Sequence, residues 1–170
     1  MKKLLLLLLF IPLVSFGQDE LKLFIKGKNN FEKENYNKAS TYLNNALELN
    51  PSYVDAHFYT GLLNTKLKLY DKAILNYNKV LELDLYNELA YLNRGRINYI
   101  LKNREAAQSD FKNAIEIDSK FIEAYDNLVL VSQSLKDYKT GLLAITKLIE
   151  FNPDFRNFFR RGLIKYRMGD

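Results

Sequence analysis

A chain of 170 residues with 48% hydrophobic content, three prolines and seven glycines is sized for one compact domain or one short array of helical type. It contains no cysteine, which excludes a disulfide framework, a thiol nucleophile and a thiolate metal site. His57 is its only histidine and cannot build a zinc site by itself, and the net charge of +5 is mild.

The first seventeen residues read as a separate object. Met1-Lys2-Lys3 is a basic start, Leu4 to Val14 an apolar run, and Ser15-Phe16-Gly17 a small-residue cleavage site before Gln18. That is the layout of a secretory signal peptide. The apolar run is shorter than the roughly 20 residues a membrane-spanning helix needs, and no cysteine follows the cleavage site to carry a lipid anchor. Leu4 to Leu9 is apolar all round, which argues against an amphipathic surface helix. Residues 1–17 are expected to be removed, and 18–170 to be exported to the periplasm without a transmembrane span. The leader resembles those of exported Bacteroidota proteins, and the abundance of Lys, Asn, Tyr and Ile fits an AT-rich genome of that kind. Setting aside Lys2 and Lys3 leaves 23 basic and 20 acidic side chains. Arg156, Arg160, Arg161, Lys165 and Arg167 are concentrated at the end of the chain, against Asp170 alone.

From Glu20 onward a pattern returns every 34 residues. Gly27, Gly61 and Gly95 keep that step, as do Ala39, Ala73 and Ala107. Ala46, Val80 and Ala114 form a third column, and Leu49, Leu83 and Ile117 a fourth. Self-similarity at this period marks a stack of helix–turn–helix units. In the first unit the reading places one helix over Lys22 to Lys33, a turn at Asn35-Tyr36-Asn37, and a second helix over Lys38 to Leu49. Asn50-Pro51 and Asn152-Pro153 close second helices, because proline cannot continue the hydrogen-bond ladder. Leu85 and Ser119 replace that proline in the two middle units.

This pattern resembles the tetratricopeptide repeat family over nearly the whole chain after residue 18. The resemblance implies an all-α, right-handed superhelical solenoid of about four and a half repeats: 20–53, 54–87, 88–121, 122–154 and a partial 155–170. In the family, repeat positions 8, 20 and 27 are kept small where helices cross closely. Here they read Gly27, Ala39 and Ala46, then Gly61, Ala73 and Val80, then Gly95, Ala107 and Ala114. Glycine inside a helix costs about 1 kcal/mol against alanine, so its recurrence implies a close approach that offsets the cost. Tyr36, Tyr70 and Tyr138 flank the turns, with Arg104 in their place in the third repeat. The fourth repeat departs most: Val129 takes the position-8 slot and Gly141 the position-20 slot, which reads as a crossing compensated between the two. The partial fifth repeat is a first helix, Arg156 to Met168, expected to cap the fourth in part.

Function is expected where the family exposes its first helices to a concave groove, at positions 2, 5, 9, 12 and 13. The candidate partner-binding residues are Phe24, Lys28, Phe31, Phe58, Leu62, Leu92, Arg96 and Tyr99, a set that suits a peptide or helix of an envelope protein. The competing reading is that Phe24, Phe58 and Leu92 seal neighbouring repeats together. Family members that clamp the C-terminal carboxylate of chaperone tails resemble one another in a Lys and an Asn at positions 5 and 9. Phe24 and Lys28 stand there, with Tyr59 where the next repeat would supply another Asn, and this speaks against such a clamp. No phosphate loop, zinc-ligand pair or nucleophile elbow is present, so no cofactor and no enzymatic activity are expected, and His57 reads as a packed side chain. Two rival readings are self-association through the end helix and binding of an anionic surface by its basic residues. An exported location argues against nucleic acid.

Overall fold

The computed structural model describes residues 18–169, and the expected signal peptide lies outside them. Among the described residues there are nine helices and no strand. Helix α1 covers 18–32. It is followed by α2 (Tyr36–Leu49), α3 (Val54–Lys66), α4 (Tyr70–Leu83), α5 (Glu88–Ile100), α6 (Arg104–Ile117), α7 (Ile122–Leu135), α8 (Tyr138–Phe151) and α9 (Phe155–Met168). They form two compact units dividing after Asp84, the first holding α1–α4 and the second α5–α9.

The turns inside the helix pairs explain where each second helix starts. Glu34, Lys68, Lys102 and Lys136 all adopt left-handed φ values, 58°, 59°, 66° and 59°, and they too are 34 residues apart. Each lets the next residue fold back: Asn35 N donates to Asn30 O at 2.8 Å, and Asp137 N to Ser132 O at 2.9 Å. This six-to-one closure satisfies carbonyls that a helix end leaves orphaned, against a cost of roughly 1–2 kcal/mol for a non-glycine residue in that region. The turn after α1 is therefore residues 33–35, and Tyr36 is the first residue of α2 rather than the centre of the turn. The first helix also starts earlier than Lys22, at residue 18.

In the first unit the glycine column works against a large side chain sixteen residues later. A Cβ on Gly27 would fall 2.8 Å from Leu43 Cγ, and one on Gly61 2.8 Å from Tyr77 Cε1. Leu43 and Tyr77 are fully buried, and sealing a side chain of that size contributes about 1.5–3 kcal/mol. Ala39, Ala46, Ala56 and Leu63 complete one core cluster with Leu43 and Phe24. His57 is half-buried: its Nε2 donates to the Pro51 carbonyl at 2.9 Å and its Nδ1 lies 3.2 Å from Asn76 Oδ1, pinning α3 to α4.

The second unit repeats the arrangement at Gly95, whose Cβ would lie 2.7 Å from Phe111 Cε1. At α7 the compensation differs from the one expected. A Cβ on Gly141 would meet Ser132 Cβ at 3.5 Å and Ile164 Cδ1 at 3.7 Å, not Val129. Val129 is accommodated because Ile145 stands where Leu43, Tyr77 and Phe111 stand in the other pairs, and both are fully buried in one cluster. Helix α9 rests on α8 through Ile164 and Asn157, with Asn157 Nδ2 donating to Asn152 O at 3.0 Å.

Candidate partner-binding surfaces

In the first unit, Phe24 and Phe31 lie seven residues apart on α1 and therefore share a face. Both meet Tyr59 of α3. Phe24 stands edge-on to Tyr59 at 5.5 Å and tilts against Tyr53 at 5.1 Å, and Phe31 is edge-on to Tyr59 at 5.9 Å. Such pairs contribute about 0.5–1.5 kcal/mol beyond their buried area. Phe58 extends the group, 6.1 Å from Tyr59 and 5.9 Å from Tyr77. Lys28 Nζ sits 5.6 Å from the centre of the Tyr59 ring, a cation held against a π-face.

The members differ in what they offer a ligand. Phe24 is only 8% exposed and belongs to the core cluster, so it seals α1 to α3. Lys28, Phe31, Phe58, Tyr59 and Leu62 are each partly exposed. The result is an aromatic surface with a cation beside it. Tyr59 is its centre, and the sequence reading placed it only as an absent clamp residue. Its signal was the seven-residue spacing of Phe24 and Phe31, which requires something broad to stand opposite.

In the second unit Leu92 is 3% exposed and packs in the core. Arg96 is exposed, and Tyr99 is partly buried against the same cluster. Leu89, Ile100 and Leu130 are exposed on α5 and α7. The arginine with a structural role is Arg94. Its Nε lies 3.1 Å and its Nη2 2.6 Å from the buried Asp110 carboxylate, which also accepts from Asn98 Nδ2 at 3.0 Å. A fork of this kind satisfies a carboxylate that burial would otherwise penalise. Arg94 and Arg96 are two residues apart in sequence, and only the packing separates their roles.

The basic end is partly neutralised. Arg160 pairs with Asp126, and Arg156 with Asp154 at 2.9 Å. Arg161 instead stacks on Phe158, 5.4 Å from the ring centre. Among the described residues, no three His, Cys, Asp or Glu side chains are grouped to hold a metal ion. No described helix is long and apolar enough to cross a membrane.

The tetratricopeptide repeat model matches residues 23–53, 58–87 and 89–121, more than half of the chain. The chain belongs to the tetratricopeptide repeat family. The matched segments end at residue 121, ahead of the repeat in which Val129 and Gly141 depart from the pattern. Solved structures agree in fold. The tetratricopeptide chain resembles MamA at 24% identity and a TM-score of 0.82, covering 90% of this chain and 84% of MamA. It resembles YrrB, a tetratricopeptide protein with an unusual peptide-binding site, at 17% identity and a TM-score of 0.80 over 90% of this chain and 79% of YrrB. The first such domain of Spaghetti (RPAP3), solved bound to the HSP90 peptide SRMEEVD, gives 24% identity and a TM-score of 0.68, over 70% of this chain and 94% of that one. No curated protein matches the sequence. A tetratricopeptide fold of this kind is an interaction scaffold: it holds side chains at fixed spacing and presents them to other proteins.

Proposed function

We propose that this protein is an exported scaffold that binds a peptide or helical segment of an envelope protein on its first helices. The observation that carries the reading is the Tyr59 surface, where Lys28 stands over an aromatic cluster that Phe31 and Phe58 extend. Rings and aliphatic side chains held rigid before binding lose little entropy on contact, and Lys28 and Arg96 select for an acidic segment. Support also comes from relatives of the same fold whose own ligands are peptides, one of them the acidic SRMEEVD. The residues committed to contact are Lys28, Phe31, Phe58, Tyr59 and Leu62 in the first unit and Arg96 and Tyr99 in the second. The signal-peptide reading of residues 1–17 places the partner in the periplasm.

Crosslinked affinity capture of the tagged protein from its native cell envelope tests this. A Lys28→Glu, Arg96→Glu variant and a Phe58→Glu, Arg96→Glu variant run alongside. The first changes only partly exposed or exposed cations, so it keeps its fold and loses the captured envelope protein. Capture of the same set by both variants overturns the reading.

A further inference from the structure

A second surface lies on α8 and α9, away from the first-helix faces just described, and it is shaped for a helix. In α1, α3, α5 and α7 the eighth repeat residue, Gly27, Gly61, Gly95 or Val129, is buried. In α9 that residue is Gly162, which is exposed, and among the described residues nothing lies within 4 Å of where its Cβ would be. Phe158, Arg161, Gly162 and Lys165 follow a 3–4–7 spacing and so form one stripe of α9. The stripe borders a cleft of about 680 Å³ between α8 and α9, lined by Leu142, Thr146, Arg161 and Lys165. The same repeat positions in the first unit are Ser40 and Asn44 on α2 and Thr60 and Asn64 on α3. There they line the cleft into which α4 brings Lys72 and Asn76. The molecule thus shows what covers this surface elsewhere: a second helix placing a large residue over the glycine, as Tyr77 lies over Gly61.

The second unit also shows the chemistry of such a helix. Arg94 occupies on α5 the place of Arg161 on α9, and Asn98 that of Lys165. Arg94 and Asn98 hold Asp110, and the next residue, Phe111, fills the space above Gly95. Arg161 and Lys165 have no carboxylate partner among the described residues, and no acidic side chain lines the cleft. We propose that the α8–α9 surface binds an amphipathic helix of a partner protein carrying an acid followed by an aromatic or leucine residue. The acid pairs with Arg161 and Lys165, and the large side chain seats over Gly162.

The probe is a fluorescent peptide with the α6 sequence, Arg104–Ile117, titrated into the full chain by anisotropy. Saturable binding is expected. Gly162→Leu, which fills open space and leaves the helix content unchanged, should weaken it at least about tenfold, and Arg161→Glu, which breaks the charged pair, by a similar factor. A peptide with Asp110→Arg should lose the wild-type protein and regain affinity for the Arg161→Glu variant. Absence of saturable binding overturns the proposal, as does binding that neither variant weakens. Sedimentation decides the source of the helix. A wild-type dimer that Gly162→Leu converts to monomer makes the occupant a second copy and overturns the assignment to a partner protein.

Discussion

At the scale of single residues, the glycines carry most of the energetic information. Gly95 and Gly162 occupy the same repeat position with opposite surroundings. Alanine at Gly95 would place a methyl 2.7 Å from Phe111 Cε1 and 3.0 Å from Asp110 Cβ, and the crowding outweighs the gain in helix propensity. Gly95→Ala should destabilise the protein by about 1–3 kcal/mol. Gly162→Ala meets nothing within 4 Å and should stabilise it by about 0.5–1 kcal/mol. Chemical denaturation of the two variants checks both signs. The reading of the sequence treated all position-8 glycines alike, because a glycine reveals the size of its own side chain and not the distance to its neighbour. Phe24 and Leu92 raised the same difficulty. Their helical positions were legible, but how far each is buried depends on how closely the adjoining helix settles on it, and both proved to be packing residues.

At the scale of elements, helix ends are decided by local chemistry that the sequence states only in part. Asp137 caps α8, its carboxylate accepting from Thr140 N at 3.2 Å and from Gln108 Nε2 at 2.9 Å. The hydrogen bonds from Thr140 above all, with Gln108 and the charge of Lys112 adding to them against a counteracting desolvation, hold this carboxyl below the usual aspartate range. A carboxyl whose folded value is depressed binds protons more readily in the unfolded chain, so it stabilises the fold at neutral pH. That contribution begins to fade near the ordinary value, about 4, and is lost as pH falls through the depressed one. Asp137→Ala should cost about 1 kcal/mol at pH 7, and the difference from wild type should shrink steadily below pH 4 in acid-dependent thermal melts. The cap was not visible in the sequence as such, since Asn35, Leu69 and Asn103 occupy the equivalent place without a side-chain cap.

For the whole molecule, repeat proteins distribute stability between each helix pair and its nearest neighbours, so a local defect stays partly local. Gly95→Ala strains the α5–α6 crossing within the second unit. Hydrogen exchange of this variant should show lost protection in α5, α6 and α7 at denaturant concentrations where α1–α3 remain protected. Equal loss in both units would mean that the chain unfolds as a single cooperative block. The two proposed binding surfaces separate at this scale as well. Lys28 and Arg96 serve the first-helix faces, Arg161 and Lys165 the α8–α9 cleft, so charge reversals at one pair should leave binding at the other unchanged.

What the sequence determined by itself was the period and its consequences. Four columns at 34-residue spacing were enough to predict paired helices and the family, because a 34-residue unit must bury one stripe of each helix in the same way every time. Only the tertiary structure decided which equivalent residues have equivalent roles. Arg94 is locked to Asp110 while Arg96 is exposed, and Gly95 is crowded while Gly162 is open. The physical reason is that a repeat position specifies a direction around a helix axis, whereas a contact depends on what stands across the gap. That opposing side chain belongs to another helix, and its distance exists only once the two have packed.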